Sequence, residues 1–156
     1  MLNRRTVLAA AALAAPASFA PLGGPALADA SACATDQSAA NAALLERYAA
    51  AVNGNDAALL REVFAEPYLQ HGGIKGLRNV FPDLHLTVED RIFGGDKIVA
   101  RNTWTGTHRG AFLGIEPTGK QVTINTIDIW RVERGKLAEH WDVIDIAGLE
   151  KQLRGG

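Results

Sequence analysis

Asp128, His140 and Asp142 are the side chains in this sequence best suited to moving protons. They sit in two runs of alternating apolar and polar residues, Gln121 to Val132 and Leu137 to Ile146, separated by Glu133-Arg134-Gly135. Alternation of period two reads as strand. Gly135 invites a three-residue hairpin loop, a type I turn closed by a glycine bulge. Val132 then faces Lys136, Trp130 faces Ala138, Asp128 faces His140, Thr126 faces Asp142 and Ile124 faces Ile144. One face would carry Thr126, Asp128, His140 and Asp142 among Val122, Ile124, Trp130, Val132, Ala138, Ile144 and Ile146. A two-residue loop, Arg134-Gly135, would instead leave Asp128 and Asp142 on opposite faces.

Neighbouring carboxyl groups in apolar surroundings disfavour the doubly ionised state, which suits one of them to exchange a proton near neutral pH. An imidazole beside them can orient a carboxylate or titrate itself. The competing readings are a self-satisfied Asp128–His140 pair across the strands, or a face open to solvent. His71, His85, His108 and His140 are scattered without H-x-x-x-H or C-x-x-C spacing, so no metal site is expected. There is no G-x-S-x-G, phosphate loop or G-x-G-x-x-G, so no nucleophile elbow and no nucleotide cofactor is expected either. Trp104, Trp130 and Trp141 could line an apolar pocket, or simply be core.

The rest of the chain supplies the scaffold for these groups. Leu44, Leu45, Tyr48, Ala51 and Val52 form one helical stripe, begun by Thr35 or Asp36 and stopped at Asn53-Gly54. Asn55 or Asp56 caps a second helix carrying Leu59, Leu60, Val63 and Phe64, which ends before Pro67. Tyr68 to His71 could be a short strand, and Ile74 to Phe81 one or two helical turns ended by Pro82. Strands follow from Leu84 to Ile92 and over residues 97–108, then a glycine-rich loop, the two strands of the hairpin and a closing helix from Gly148 to Leu153. Helices followed by hairpin-linked strands are α+β order. The other face of the hairpin (Ile127, Ile129, Leu137, Trp141, Val143) hints at a homodimer surface.

The chain has 156 residues, 47% hydrophobic and 21% charged, enough for one domain with a real core. A net charge of −1 argues against a nucleic-acid partner. Cys33 is the single cysteine, so no internal disulfide framework exists. Residues 1–28 differ from the rest. Arg4-Arg5, an Ala/Leu run, three prolines, no acidic residue and a closing Ala26-Leu27-Ala28 read as a twin-arginine-like export signal, too broken for a membrane span. Cleavage near Ala28 would leave 14 basic and 17 acidic residues, a net charge of −3, and a protein outside the cytoplasm, periplasmic or extracellular. Residues 29–35 read as an unstructured lead-in to a domain over residues 36–156.

Several stretches resemble the SnoaL-like polyketide cyclases: Phe81-Pro82-Asp83-Leu84, Gly106 to Gly110, Phe112 to Lys120, and Asp128 to Val143. The likeness spans roughly residues 40–153. It implies the nuclear-transport-factor-2-like fold, N-terminal helices on a curved antiparallel sheet forming a cone with an internal pocket. It also implies cofactor-free aldol-type ring closure. The family's acid/base aspartate falls on Asp142. A pocket histidine is replaced by Asp128, and a pocket asparagine by Gln70. Only about ten residues, Gly72 to Phe81, fill the place of the family's third helix. The resulting expectation is acid/base chemistry (aldol-type cyclisation, isomerisation or hydration) on a small apolar carbonyl compound. Asp142, Asp128 and His140 would be catalytic, and Gln70, Trp104, Thr126 and Trp130 would bind substrate. The alternative is a non-catalytic ligand-binding or dimerisation module of the same fold.

Overall fold

The computed structural model describes residues 27–66 and 73–155. Residues 1–26 of the expected 1–28 signal sequence, the short strand at 68–71 and Gln70 lie outside them. The described elements are α1 (Leu27–Asn53), α2 (Ala57–Val63), α3 (Gly73–Val80), β1 (His85–Gly94), β2 (Lys97–Thr107), β3 (Gln121–Glu133), β4 (Lys136–Ile144) and α4 (Ile146–Arg154). No described helix is long and apolar enough to cross a membrane.

The expected stripe of α1 is the buried one: Leu44, Leu45, Tyr48, Ala51 and Val52 all lie in the core. The helix starts earlier than expected, and residues 29–35 are part of it rather than an irregular lead-in. Leu27 to Asn53 contains no glycine or proline, and Ala28, Ala30, Ala32 and Ala34 are strong helix formers, so nothing halts propagation at Thr35. Gly54 and Asn55 end α1, the latter at φ 50°. Asp56 caps α2, its carboxylate accepting from the backbone N–H groups of Ala58 and Leu59 at 2.9 Å each.

The four strands form one antiparallel sheet in the order β1-β2-β3-β4. The helices cover one face. On β3 the even-numbered residues Val122 to Val132 are buried, whereas the odd-numbered ones are exposed, apart from the half-buried Arg131. Ile98, Ala100, Asn102 and Trp104 of β2 lie on the same inner face. Side chains join the layers to the edge strand. Asn53 brackets Leu86, donating to its carbonyl at 3.0 Å and accepting from its N–H at 2.7 Å. Arg78 of α3 donates to the carbonyls of Val52, Pro82 and Leu84.

The β3–β4 hairpin differs from expectation in its turn. Glu133 pairs with Lys136, so the loop is the two-residue Arg134-Gly135. Both residues have positive φ, 52° and 72°, as a type I′ turn requires. Such a turn matches the right-handed twist of two long strands better than the expected type I loop. The acids nonetheless share a face, because the register shifts further along. Val132 pairs with Leu137 but Arg131 pairs with Glu139, which makes Ala138 an extra, bulged residue. Beyond it Trp130 faces His140, Asp128 faces Asp142 and Thr126 faces Ile144. The expected pairings of Asp128 with His140, Thr126 with Asp142 and Trp130 with Ala138 are therefore each displaced.

The two-residue turn, by pairing Leu137 with the inward Val132, moves Leu137 from the expected outer face into the core, where it is fully buried. Ile144 and Ile146, expected inside, are exposed where the sheet runs out. On the uncovered face Ile92, Val99, Ile129 and Trp141 form one row across all four strands, with Ile127 paired to Val143 beside it. Val143 is 72%, Ile92 65% and Trp141 49% exposed.

Candidate active site

Asp128 lies near the middle of β3, facing inward, with its side chain 5% exposed. Both of its oxygens are engaged. Oδ1 is 2.7 Å from His140 Nε2. Oδ2 accepts from Asn102 Nδ2 at 2.7 Å and from the Thr126 hydroxyl. The Thr126 oxygen in turn accepts from Trp104 Nε1 at 3.2 Å. A carboxylate removed from water needs such donors, and three different strands supply them.

His140 is 18% exposed and stacks on Trp130, with ring centroids 5.2 Å apart and planes 10° from parallel. This is possible because the bulge places the two residues directly opposite one another. Trp130 is held from below by Tyr48, whose ring meets it edge-on at 5.3 Å. Asp142, across from Asp128, is exposed. Burial is thus unequal: one carboxylate is deep and fully hydrogen-bonded, the other lies at the rim. The pair does not share a uniformly apolar pocket.

The structure brings together Asp128, His140, Asp142, Thr126, Trp130 and Trp104. Trp104 is buried and donates a hydrogen bond to Thr126. Asn102 was not among the expected site residues. Its only sequence signal is a polar residue in an otherwise apolar inward row of β2. One ligand atom each from Asp128, His140 and Asp142 lies within 4.8 Å of the other two, a spacing that could hold a cation. At the closest approach, however, the Asp128–His140 contact is itself a hydrogen bond filled by a proton. What the arrangement offers chemically is an imidazole oriented by a buried carboxylate, with a second, solvent-facing carboxylate beside it.

A family model for SnoaL-like polyketide cyclases matches residues 42–153. The chain belongs to that family. The match takes in every described element from the latter part of α1 to α4, and so the whole of the site. Among solved structures, this SnoaL-like chain is similar to TsrD from Streptomyces laurentii, at 33% identity and a TM-score of 0.67 over 74% of this chain and 95% of that one. AclR from Streptomyces galilaeus is 28% identical, with a TM-score of 0.68 over 77% and 83%. IdmH from Streptomyces antibioticus is 25% identical, with a TM-score of 0.64 over 72% and 97%. No curated protein matches the chain. The nuclear-transport-factor-2-like architecture, with its open curved sheet, is therefore that of this SnoaL-like protein too.

Proposed function

We propose that this SnoaL-like protein is an exported enzyme that moves protons on a small apolar carbonyl compound without a cofactor, the favoured reaction being an aldol-type cyclisation. The observation that carries the reading is the Asp128–His140–Asp142 group on one inner face of the sheet, backed by Trp130. Asp142 removes a proton from the carbon next to a carbonyl. The resulting enolate carbon attacks a second carbonyl of the same molecule, forming the carbon–carbon bond. The new alkoxide takes a proton from the protonated site, so the acid/base groups end as they began. Isomerisation and hydration of related compounds use the same proton traffic. Trp104 and Trp130 supply apolar wall, and Thr126 and Gln70 are assigned to ligand contact.

A screen of small diketones and keto esters, with Asp142→Asn as control, tests the reading. Turnover in the native protein that falls about 10²–10⁴-fold in the variant supports it. Turnover equal in both defeats the assignment. The exposure of Asp142 and the uncovered apolar sheet face favour a second reading, a binding module that pairs with a second copy through Ile92, Ile129, Trp141 and Val143. Export rests on the acid-free, paired-arginine segment before Asp29. Mass spectrometry of native extracytoplasmic material showing a terminus at or near Asp29 is the expected result, and an intact Met1 on cytoplasmic protein the contrary one.

A further inference from the structure

Two groups in the network around Asp128 can only donate. The Trp104 indole and the Asn102 amide nitrogen have no acceptor capacity, and each fixes the direction of the bond it makes. Trp104 donates to the Thr126 oxygen, which leaves the Thr126 hydroxyl proton to go to Asp128 Oδ2. Asn102 donates to the same oxygen. The reversed amide would set Asn102 Oδ1 against a carboxylate oxygen at hydrogen-bond distance, acceptor to acceptor. The orientation that avoids this leaves Asn102 Oδ1 buried and without a hydrogen-bond partner among the described residues. An apolar residue at 102 would avoid that unsatisfied acceptor, so the cost is tolerated for the bond that Nδ2 makes.

We infer that Asn102 is a positioning residue. Together with Thr126 it holds Asp128 as a carboxylate acceptor, which fixes the His140 proton on Nε2 and with it the orientation of the imidazole ring. The inference rests on the acid/base reading of the site for its use in catalysis, though not for its geometry. With Oδ2 occupied by two donors, Oδ1 is the oxygen that meets His140, and it meets Nε2. The Trp130 ring stacked on the imidazole keeps it in that plane. Asn102 touches no substrate in this scheme; it acts through Asp128.

The test is nuclear magnetic resonance of the full domain, in which the His140 ring nitrogens are assigned and the solvent exchange of the imidazole N–H is measured. The expected result is a protected, low-field proton on Nε2 in the native protein, absent in Asp128→Asn. Asn102→Val and Thr126→Val should each speed its exchange by about fivefold, the effect of losing one net hydrogen bond. The second of these is nearly isosteric and guards against a failure of the first to fold. A protected proton on Nδ1, or none on either nitrogen, overturns the inference. So does a protected Nε2 proton whose exchange is unchanged in both valine variants, since a merely structural Asn102 would lower the melting temperature without touching that proton. None of these readouts needs a substrate, so failure of the proposed reaction and failure of this inference are seen separately.

Discussion

Two carboxylates two strand positions from the same imidazole play unequal parts, and their substitutions should separate cleanly. Asp128→Asn replaces an acceptor of three hydrogen bonds with an amide that must turn an N–H toward one of the donors. A loss of about 1–3 kcal/mol in urea unfolding is expected. Asp142→Asn, at an exposed position, should change stability by no more than about 0.5 kcal/mol, so that any loss of turnover is chemical. Asp83 supplies a third prediction. Its carboxyl is held below the usual carboxylate range by the Thr107 hydroxyl and the Thr107 backbone N–H, each at 2.7 Å. A folded-state value below the unfolded one, about 3.9, means that the contribution is complete above that pH and disappears as pH falls through the folded value. Native protein and Asp83→Ala should therefore differ by about 1 kcal/mol at pH 7, given the exposure of the site. The two unfolding curves should converge in acid. The residue types of this site were legible because Asp, His and Asp stand out in an alternating apolar run. Asn102 was not, because its meaning depends on a diagonal contact between strands that sequence spacing on β2 alone does not contain.

At the scale of elements, the hairpin and the loop over residues 108–120 carry the sharpest expectations. Arg134 occupies the left-handed region without being glycine or asparagine. Arg134→Asn should raise stability by up to about 1 kcal/mol in a thermal melt, because asparagine tolerates that region far better. Gly110 is pressed against the end of α3, where an added Cβ would lie 2.3 Å from the Asn79 carbonyl oxygen. Its own N–H donates to the Val80 carbonyl at 3.1 Å. Gly110→Ala should therefore cost about 1–3 kcal/mol, since helix or loop must move. Among the described residues, the α1 stripe, the brevity of α3, strands β1 to β4 and their order followed from periodicity and from proline and glycine punctuation. The turn did not. Glu133-Arg134-Gly135 is compatible with a two- or a three-residue loop, and a bulge at Ala138 leaves no mark in a run that alternates either way.

For the whole molecule, the sheet has one face filled by helices and one left apolar in the open. Ile92, Val99, Ile129 and Trp141 make a continuous cross-strand row, flanked by Lys97 whose ammonium sits 5.5 Å from the centre of the Trp141 ring. If that face pairs with a second copy, a double substitution Ile129→Glu and Trp141→Lys should convert a dimer to a monomer in analytical ultracentrifugation. The site should remain intact, because these side chains point away from it. A native protein that sediments as a monomer at micromolar concentration would instead leave the row to another use.

The bulged alanine makes the tip of this hairpin unusually forgiving of changes in length, and unforgiving in one specific way. Residues directly opposed across a two-residue turn always have numbers of opposite parity, yet Asp128 and Asp142 are both even and face one another. One surplus residue reconciles the two facts. Deleting Ala138 would return the ladder to regular pairing with Arg131 still opposite Glu139 and the acids still together. Inserting a residue between Ala138 and His140 without a second bulge would instead turn both His140 and Asp142 out to solvent. A library that varies this hairpin should thus keep its acid pair only in members where turn length and bulge change in step, a rule to be read by sequencing the survivors of a selection for activity.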